Sequence, residues 1–195
     1  MKRVLAILMV LCCVVVVNAQ EENELKRFAG GFELGGDFGS KNYGLHIGAT
    51  MRYGHYKNLF NLTAGINFNL NQSYHGREDV LKEYTRAVTL GGQLAIPVVA
   101  KFNILKCTEQ ARFYAGAGAE AAFTIYTKDV VVGIGNKTDS MINNYTTATL
   151  VQVGVTGARF DAGIYYKHYL NDLVNSKFPS YQENSRIGVS LAYYF

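Results

Sequence analysis

The sequence predicts an all-β fold, an eight-stranded antiparallel transmembrane β-barrel of the outer-membrane type that follows a cleaved signal peptide. Three observations predict it. The last ten residues, Arg186 to Phe195, alternate in polarity and end on an aromatic, so Ile187, Val189, Leu191, Tyr193 and Phe195 share one face of a strand. Seven earlier segments alternate in the same way. On their apolar faces Phe28 and Phe38, Tyr43 and Tyr53, and Phe113 and Phe123 are aromatic pairs ten residues apart. Ten residues at about 3.3 Å rise and about 45° tilt span roughly 23 Å, the height of the apolar band between two aromatic girdles. A soluble barrel turns its apolar face inward and has no reason to repeat that spacing.

The N-terminus reads as an export signal over residues 1–19. Lys2 and Arg3 supply its positive end, Val4 to Val17 its apolar core, and Val17-Asn18-Ala19 a small-residue cleavage site, so the barrel domain spans 20–195. The apolar run falls short of the roughly 20 residues a spanning helix needs. Cys12 and Cys13 leave with the signal, so Cys107 is the one thiol of the mature chain and no internal disulfide can staple it. Of the formal charge of +4, Lys2 and Arg3 supply two, and no basic run remains to hold nucleic acid.

The strands follow in order. Phe28, Gly30, Phe32, Leu34, Gly36 and Phe38 oppose Ala29, Gly31, Glu33, Gly35 and Asp37; then Tyr43, Leu45, Ile47, Ala49, Met51 and Tyr53 oppose Gly44, His46, Gly48, Thr50 and Arg52. The third, Phe60 to Leu70, carries Asn61, Asn67, Asn69 and Asn71 on its second face, amides that need a lumen or water and not a dry core. The fourth, Val88 to Ile104, contains Pro97, which forfeits a ladder hydrogen bond and predicts a bulge or kink there. Phe113 to Ile125 is the fifth, Val151 to Val155 the sixth, Phe160 to Tyr166 the seventh, and the C-terminal segment the eighth.

An even count closes an antiparallel sheet with both termini on one side, here the periplasmic one, and removes the edges that hydrocarbon cannot tolerate. Links at Gly54 to Asn58, Leu105 to Gln110 and Gly157 to Ala158 are short. Those at Asn71 to Glu83, Thr127 to Tyr145 and Asn171 to Asn184 are longer and are expected to face outward; only the first outer turn, at Ser40 and Lys41, is short. Leu62 and Ile164 are expected near the middle of the bilayer.

The segment Leu94-Ala95-Ile96-Pro97-Val98-Val99-Ala100-Lys101-Phe102 resembles the Leu-x-Ile-Pro strand of the outer-membrane β-barrel domain proteins of Bacteroidota, the porin-family or PorT-like small barrels. So do Phe113-Tyr114-Ala115-Gly116-Ala117-Gly118, Tyr166-Lys167-His168-Tyr169-Leu170-Asn171, and the terminal Tyr193-Tyr194-Phe195, although Tyr169 stands where that family favours Gly. The resemblance covers nearly the whole mature chain and implies an outer-membrane location, without implying one activity.

Inward faces place Glu33, Asp37, Glu120 and Asp161 among His46, Arg52, Lys101, Arg159, Lys167 and Arg186. Eight strands leave room only for side chains, so the expectation is an ion-pair network filling the lumen, with Glu33 and Glu120 paired to Arg52, Lys101 or Lys167. Inward glycines beside Tyr114, Tyr165 and Tyr194 read as small-with-large packing. A charged pore or gate is the alternative. His46, His55, His75 and His168 show no metal spacing, and no cofactor is expected. His168-Tyr169-Leu170-Asn171 is similar to the His-x-Ser-Asn site of outer-membrane lipid A deacylases, but Leu170 occupies the serine position and offers no nucleophile. The expected role is therefore structural or surface-interacting and non-enzymatic, in a monomer, with a narrow transport pore as runner-up. Expected partners are outer-membrane lipid, the assembly machinery, for which Leu191, Tyr193 and Phe195 form the C-terminal signal, and an extracellular ligand of the outer loops.

Overall fold

In a computed structural model of the chain, which describes residues 28–40, 42–77, 85–132, 143–171 and 184–195, eight strands form one closed sheet. They are β1 (Phe28–Phe38), β2 (Asn42–Tyr53), β3 (Phe60–Arg77), β4 (Thr85–Thr108), β5 (Ala111–Val132), β6 (Tyr145–Gly157), β7 (Phe160–Tyr169) and β8 (Ser185–Tyr194). Each pairs antiparallel with its sequence neighbour, and β8 returns to β1, with Phe38 opposite Ile187 and Gly31 opposite Tyr194. The signal segment, Lys41 and most of the three longer links lie outside the described residues.

The sequence alternation becomes an inverted protein. Leu45 and Ile47 are 65% and 63% exposed on the outer wall, while Arg186 is 1% exposed inside. Asn61, Asn67, Asn69 and Asn71 all turn into the buried interior. At the end with the short links, aromatic rings pair across strands, Phe28 with Tyr53 at 4.8 Å and Phe60 with Phe102 at 5.4 Å. At the other end Phe38 meets Tyr43 at 6.1 Å and Phe123 meets Tyr145 at 5.1 Å. The ten-residue spacing thus marks two rings, because both members of each spaced pair stand on one outward face.

The short links are tightly made. Gly54, at φ 103°, takes the left-handed conformation that turns β2 into β3, a backbone that side chains with a Cβ disfavour. Asn103 of β4 donates Nδ2 to the carbonyls of Tyr56 and Asn58 and so pins that turn to the barrel. Between β6 and β7 only Ala158 and Arg159 intervene.

Several strand expectations are corrected. β3 continues to Arg77, β4 starts at Thr85 and ends at Thr108, β5 runs to Val132, and β6 starts at Tyr145 instead of Val151. Ladder pairing holds these extensions without an alternating apolar face, which was the only signal available to delimit them. Pro97 makes no bulge. β4 keeps one register with β3 from Ala64↔Val98 to Asn67↔Ala95, and the ladder merely lapses at Gly65 and Ile66, where proline has no N–H to give. The irregularities on β4 and β5 fall elsewhere, between Gly92 and Gln93, Asn103 and Leu105, and Lys106 and Thr108. Leu62 pairs with Tyr53 at the aromatic ring level and not at mid-height.

Candidate functional site: the charged lumen

The inward phase of each strand fixes which charges enter the lumen, and the register fixes where they meet. At the short-link end the centre is Asp161 of β7. Its carboxylate accepts from Lys101 Nζ at 2.8 Å, Tyr194 Oη at 2.9 Å, Arg52 Nη1 at 3.4 Å and the Thr156 hydroxyl. Arg52 also donates to the carbonyls of Gly157 at 2.8 Å and Ala158 at 2.7 Å, closing the β6–β7 turn, and its guanidinium lies over the Tyr194 ring. Lys101 sits over the Tyr114 ring.

Toward the other end Asp37 of β1 and Glu120 of β5 share two cations. Arg186 Nη1 donates to Asp37 Oδ1 at 2.8 Å and to Asn71 Oδ1 at 2.7 Å. Lys167 Nζ stands 2.8 Å from Glu120 Oε1 and 3.5 Å from Asp37 Oδ2, which also accepts from Tyr165 Oη at 3.3 Å. From Asn71 the bonding continues through Gln93 to Thr124, crossing the lumen wall from β3 to β5. Burial of these groups demands pairing, since an isolated ion in this setting costs several kcal/mol.

All nine lumen candidates, Glu33, Asp37, His46, Arg52, Lys101, Glu120, Asp161, Lys167 and Arg186, are brought into ion-pair contacts inside the barrel. The expected partner of Glu33 is corrected. It faces His46 Nε2 at 3.4 Å, whereas Arg52 and Lys101 both converge on Asp161 and Lys167 on Glu120. Arg159 is exposed in the β6–β7 turn and does not point inward. The glycine and tyrosine pattern is reproduced: a Cβ at Gly154 or Gly163 would meet the Tyr114 hydroxyl, and one at Gly188 the Tyr165 ring. Tyr169 and Leu150 are inward residues that the sequence reading did not use. Their phase with Lys167 and Gln152 could have found them.

Between the two ion clusters lies a cavity of about 50 Å³, with Glu33, His46, Thr50, Asn67 and Gln152 in its wall. Its volume suits a few water molecules. Leu191, Tyr193 and Phe195 stand on the outer wall, where Phe195 packs edge-on against Phe32 at 5.5 Å and Tyr193 at 5.8 Å. His168 and Leu170 are also outward and exposed. Cys107 is exposed at a register shift near the end of β4. Among the described residues no three His, Cys, Asp or Glu side chains are placed to share a metal ion.

No protein-family model matches the chain, and no curated protein matches it. Among solved structures the chain is similar to the outer membrane protein Ail of Yersinia pestis in a phospholipid bilayer nanodisc. The two are 12% identical over 86% of this chain and 99% of Ail, with a TM-score of 0.33.

Proposed function

We propose that this chain is an integral outer-membrane barrel with a plugged lumen, acting as a non-enzymatic structural or surface-interaction protein of the envelope through its longer outer links. The observation that carries the reading is the pairing of an apolar outer wall with a lumen crossed by two ion-pair clusters, one on Asp161 and one on Asp37 and Glu120. An apolar wall bounded by two aromatic rings fits lipid, because the eight strands close into one sheet and leave no open edge among the described residues. The export signal and the Leu-x-Ile-Pro and terminal Tyr-Tyr-Phe motifs support an outer-membrane address with periplasmic termini. The non-enzymatic part rests on the outward Leu170 beside His168, which supplies no hydroxyl to activate.

Planar-bilayer recording of purified protein tests the plug. Little or no steady current is expected, and a large, stable, ion-selective current would instead establish the narrow transport pore. Fractionation tests the address: the protein should partition with outer membranes, and recovery as soluble periplasmic protein would overturn it.

A further inference from the structure

The rim at the short-link end is uneven in charge. Lys57 of the β2–β3 turn, with Lys106 and Arg112 on either side of the β4–β5 turn, gathers round one carboxylate, that of Glu109. Lys106 Nζ donates to Glu109, and that bond and charge, followed by the charges of Lys57 and Arg112, hold the exposed Glu109 carboxyl below its usual range. Lys106 stands opposite Arg112 across the β4–β5 ladder. Among the described residues no carboxylate is within ion-pair distance of Lys57 or Arg112, so three cations share one anion. Arg52, deeper in the mouth, is already committed to Asp161 and to the carbonyls of the β6–β7 turn.

Apolar surface lies beside these cations. The Leu59 carbonyl accepts the Asn103 N–H at 2.8 Å, which sets Leu59 next to the end of β4. There the register shift between Asn103 and Leu105 breaks the alternation, and Ile104 and Leu105 are both exposed, at 62% and 64%, with Leu59 at 72%. A strictly alternating strand would have turned one of the two inward. Lys106 follows at once. It lies four residues past Phe102 of the aromatic ring, which at about 3.3 Å rise and about 45° tilt is roughly 9 Å beyond that ring, the headgroup depth of a bilayer about 40–45 Å thick.

We propose that Lys57, Lys106 and Arg112 bind the phosphate of an anionic phospholipid whose acyl chains lie along Leu59, Ile104 and Leu105. The inference rests on the reading of the chain as a membrane barrel. A bound anion relieves the mutual repulsion of the three cations, and an amphiphile meets both their charge and the apolar step below them. A zwitterionic headgroup would bring a further ammonium to a rim that already carries surplus cation, whereas a glycerol headgroup brings none.

The sequence has no Trp, so a single introduced one reports its own surroundings. Phe113→Trp places it opposite Leu105, and Phe123→Trp places it on the same strand at the other aromatic ring. The full mature chain is folded into phosphatidylcholine vesicles at low salt, and quenching by brominated phosphatidylglycerol is compared with quenching by brominated phosphatidylcholine. At Phe113→Trp the anionic lipid should bind about fivefold more tightly, roughly the effect of one basic residue at an anionic surface, and at Phe123→Trp the two lipids should be equal. Lys57→Gln, Lys106→Gln and Arg112→Gln together should remove the preference. If that triple variant fails to fold, about 1 M salt should remove the preference from the protein with its cations intact, because the screening length falls to about 3 Å. Equal quenching by both lipids at Phe113→Trp would overturn the proposal and leave the membrane reading standing; no quenching by either would overturn both. The same preference at both Trp positions would make it a property of the bilayer and not of this rim. Loss of the preference to soluble glycerol phosphate at constant ionic strength would give the cations to a free phosphate instead. A preference that emerges only after removal of residues 20–24 would give them to Glu21, Glu22 and Glu24 of the chain itself, and one that survives in the folded triple variant would place the lipid elsewhere.

Discussion

Lys167 of β7 stands between Glu120 of β5 at 2.8 Å and Asp37 of β1 at 3.5 Å, so one ammonium group links two strands from opposite sides of the lumen. Glu120→Ala should destabilise the barrel by about 3–5 kcal/mol, since Lys167 would lose its nearest counterion inside the wall. Replacing both partners, Glu120→Leu with Lys167→Met, should recover most of that loss. Urea titrations in liposomes measure both; a single-variant cost below about 1 kcal/mol would show that water already solvates the pair.

The outer wall should reject charge according to height. Ile164→Arg and Ile66→Arg, between the two aromatic rings, should each cost about 2–4 kcal/mol, and Leu62→Arg, beside Tyr53 at the ring level, about 0–1 kcal/mol. Equal costs at all three sites in folding titrations would contradict the placement of the rings.

Removing Phe195, or changing it to Ser, should lower the yield of folded, heat-modifiable protein. The ring closes the seam between β8 and β1 through Phe32 and Tyr193 and ends the outward face of the last strand. Wild-type yield from either variant would leave the C-terminal signal without support.

Pro97→Val should stabilise the barrel by about 0.5–1.5 kcal/mol, because the new N–H can reach the Gly65 carbonyl across the lapse in the β3–β4 ladder. Amide exchange at residues 65, 66 and 96 should slow with it. A loss of stability would mean that the carbonyl finds another donor that valine displaces.

His55, in the β2–β3 turn, has its imidazole held below the ordinary 6.5 by burial and then by Arg52 and Lys57, and its Nδ1 accepts from the Lys57 amide. The fold thus prefers the neutral ring. That contribution is complete above about pH 6.5 and is lost as pH falls through the lower folded-state value. Unfolding midpoints between pH 8 and 5 should fall less steeply in His55→Gln than in wild type.

Alternation alone makes legible the strand count, the face of nearly every residue between the aromatic rings, and nine of the ten residues read as lumen charges, Arg159 being the one that lies in a turn instead. A period of two leaves no freedom there: once one face must meet lipid, the other is committed to the interior. Tertiary structure decided the pairings. Asp161 gathers Arg52 and Lys101 from β2 and β4 across the lumen, leaving Glu33 to His46, and no local pattern encodes distances between strands so far apart in the chain. It also decided where the strands stop. Beyond the rings neither face need be apolar, so the β3–β4 and β4–β5 ladders run on with backbone hydrogen bonds alone to mark them. Pro97 illustrates both halves: the missing N–H was legible, but only closure of the barrel decided that the flanking pairs would hold register instead of slipping by one.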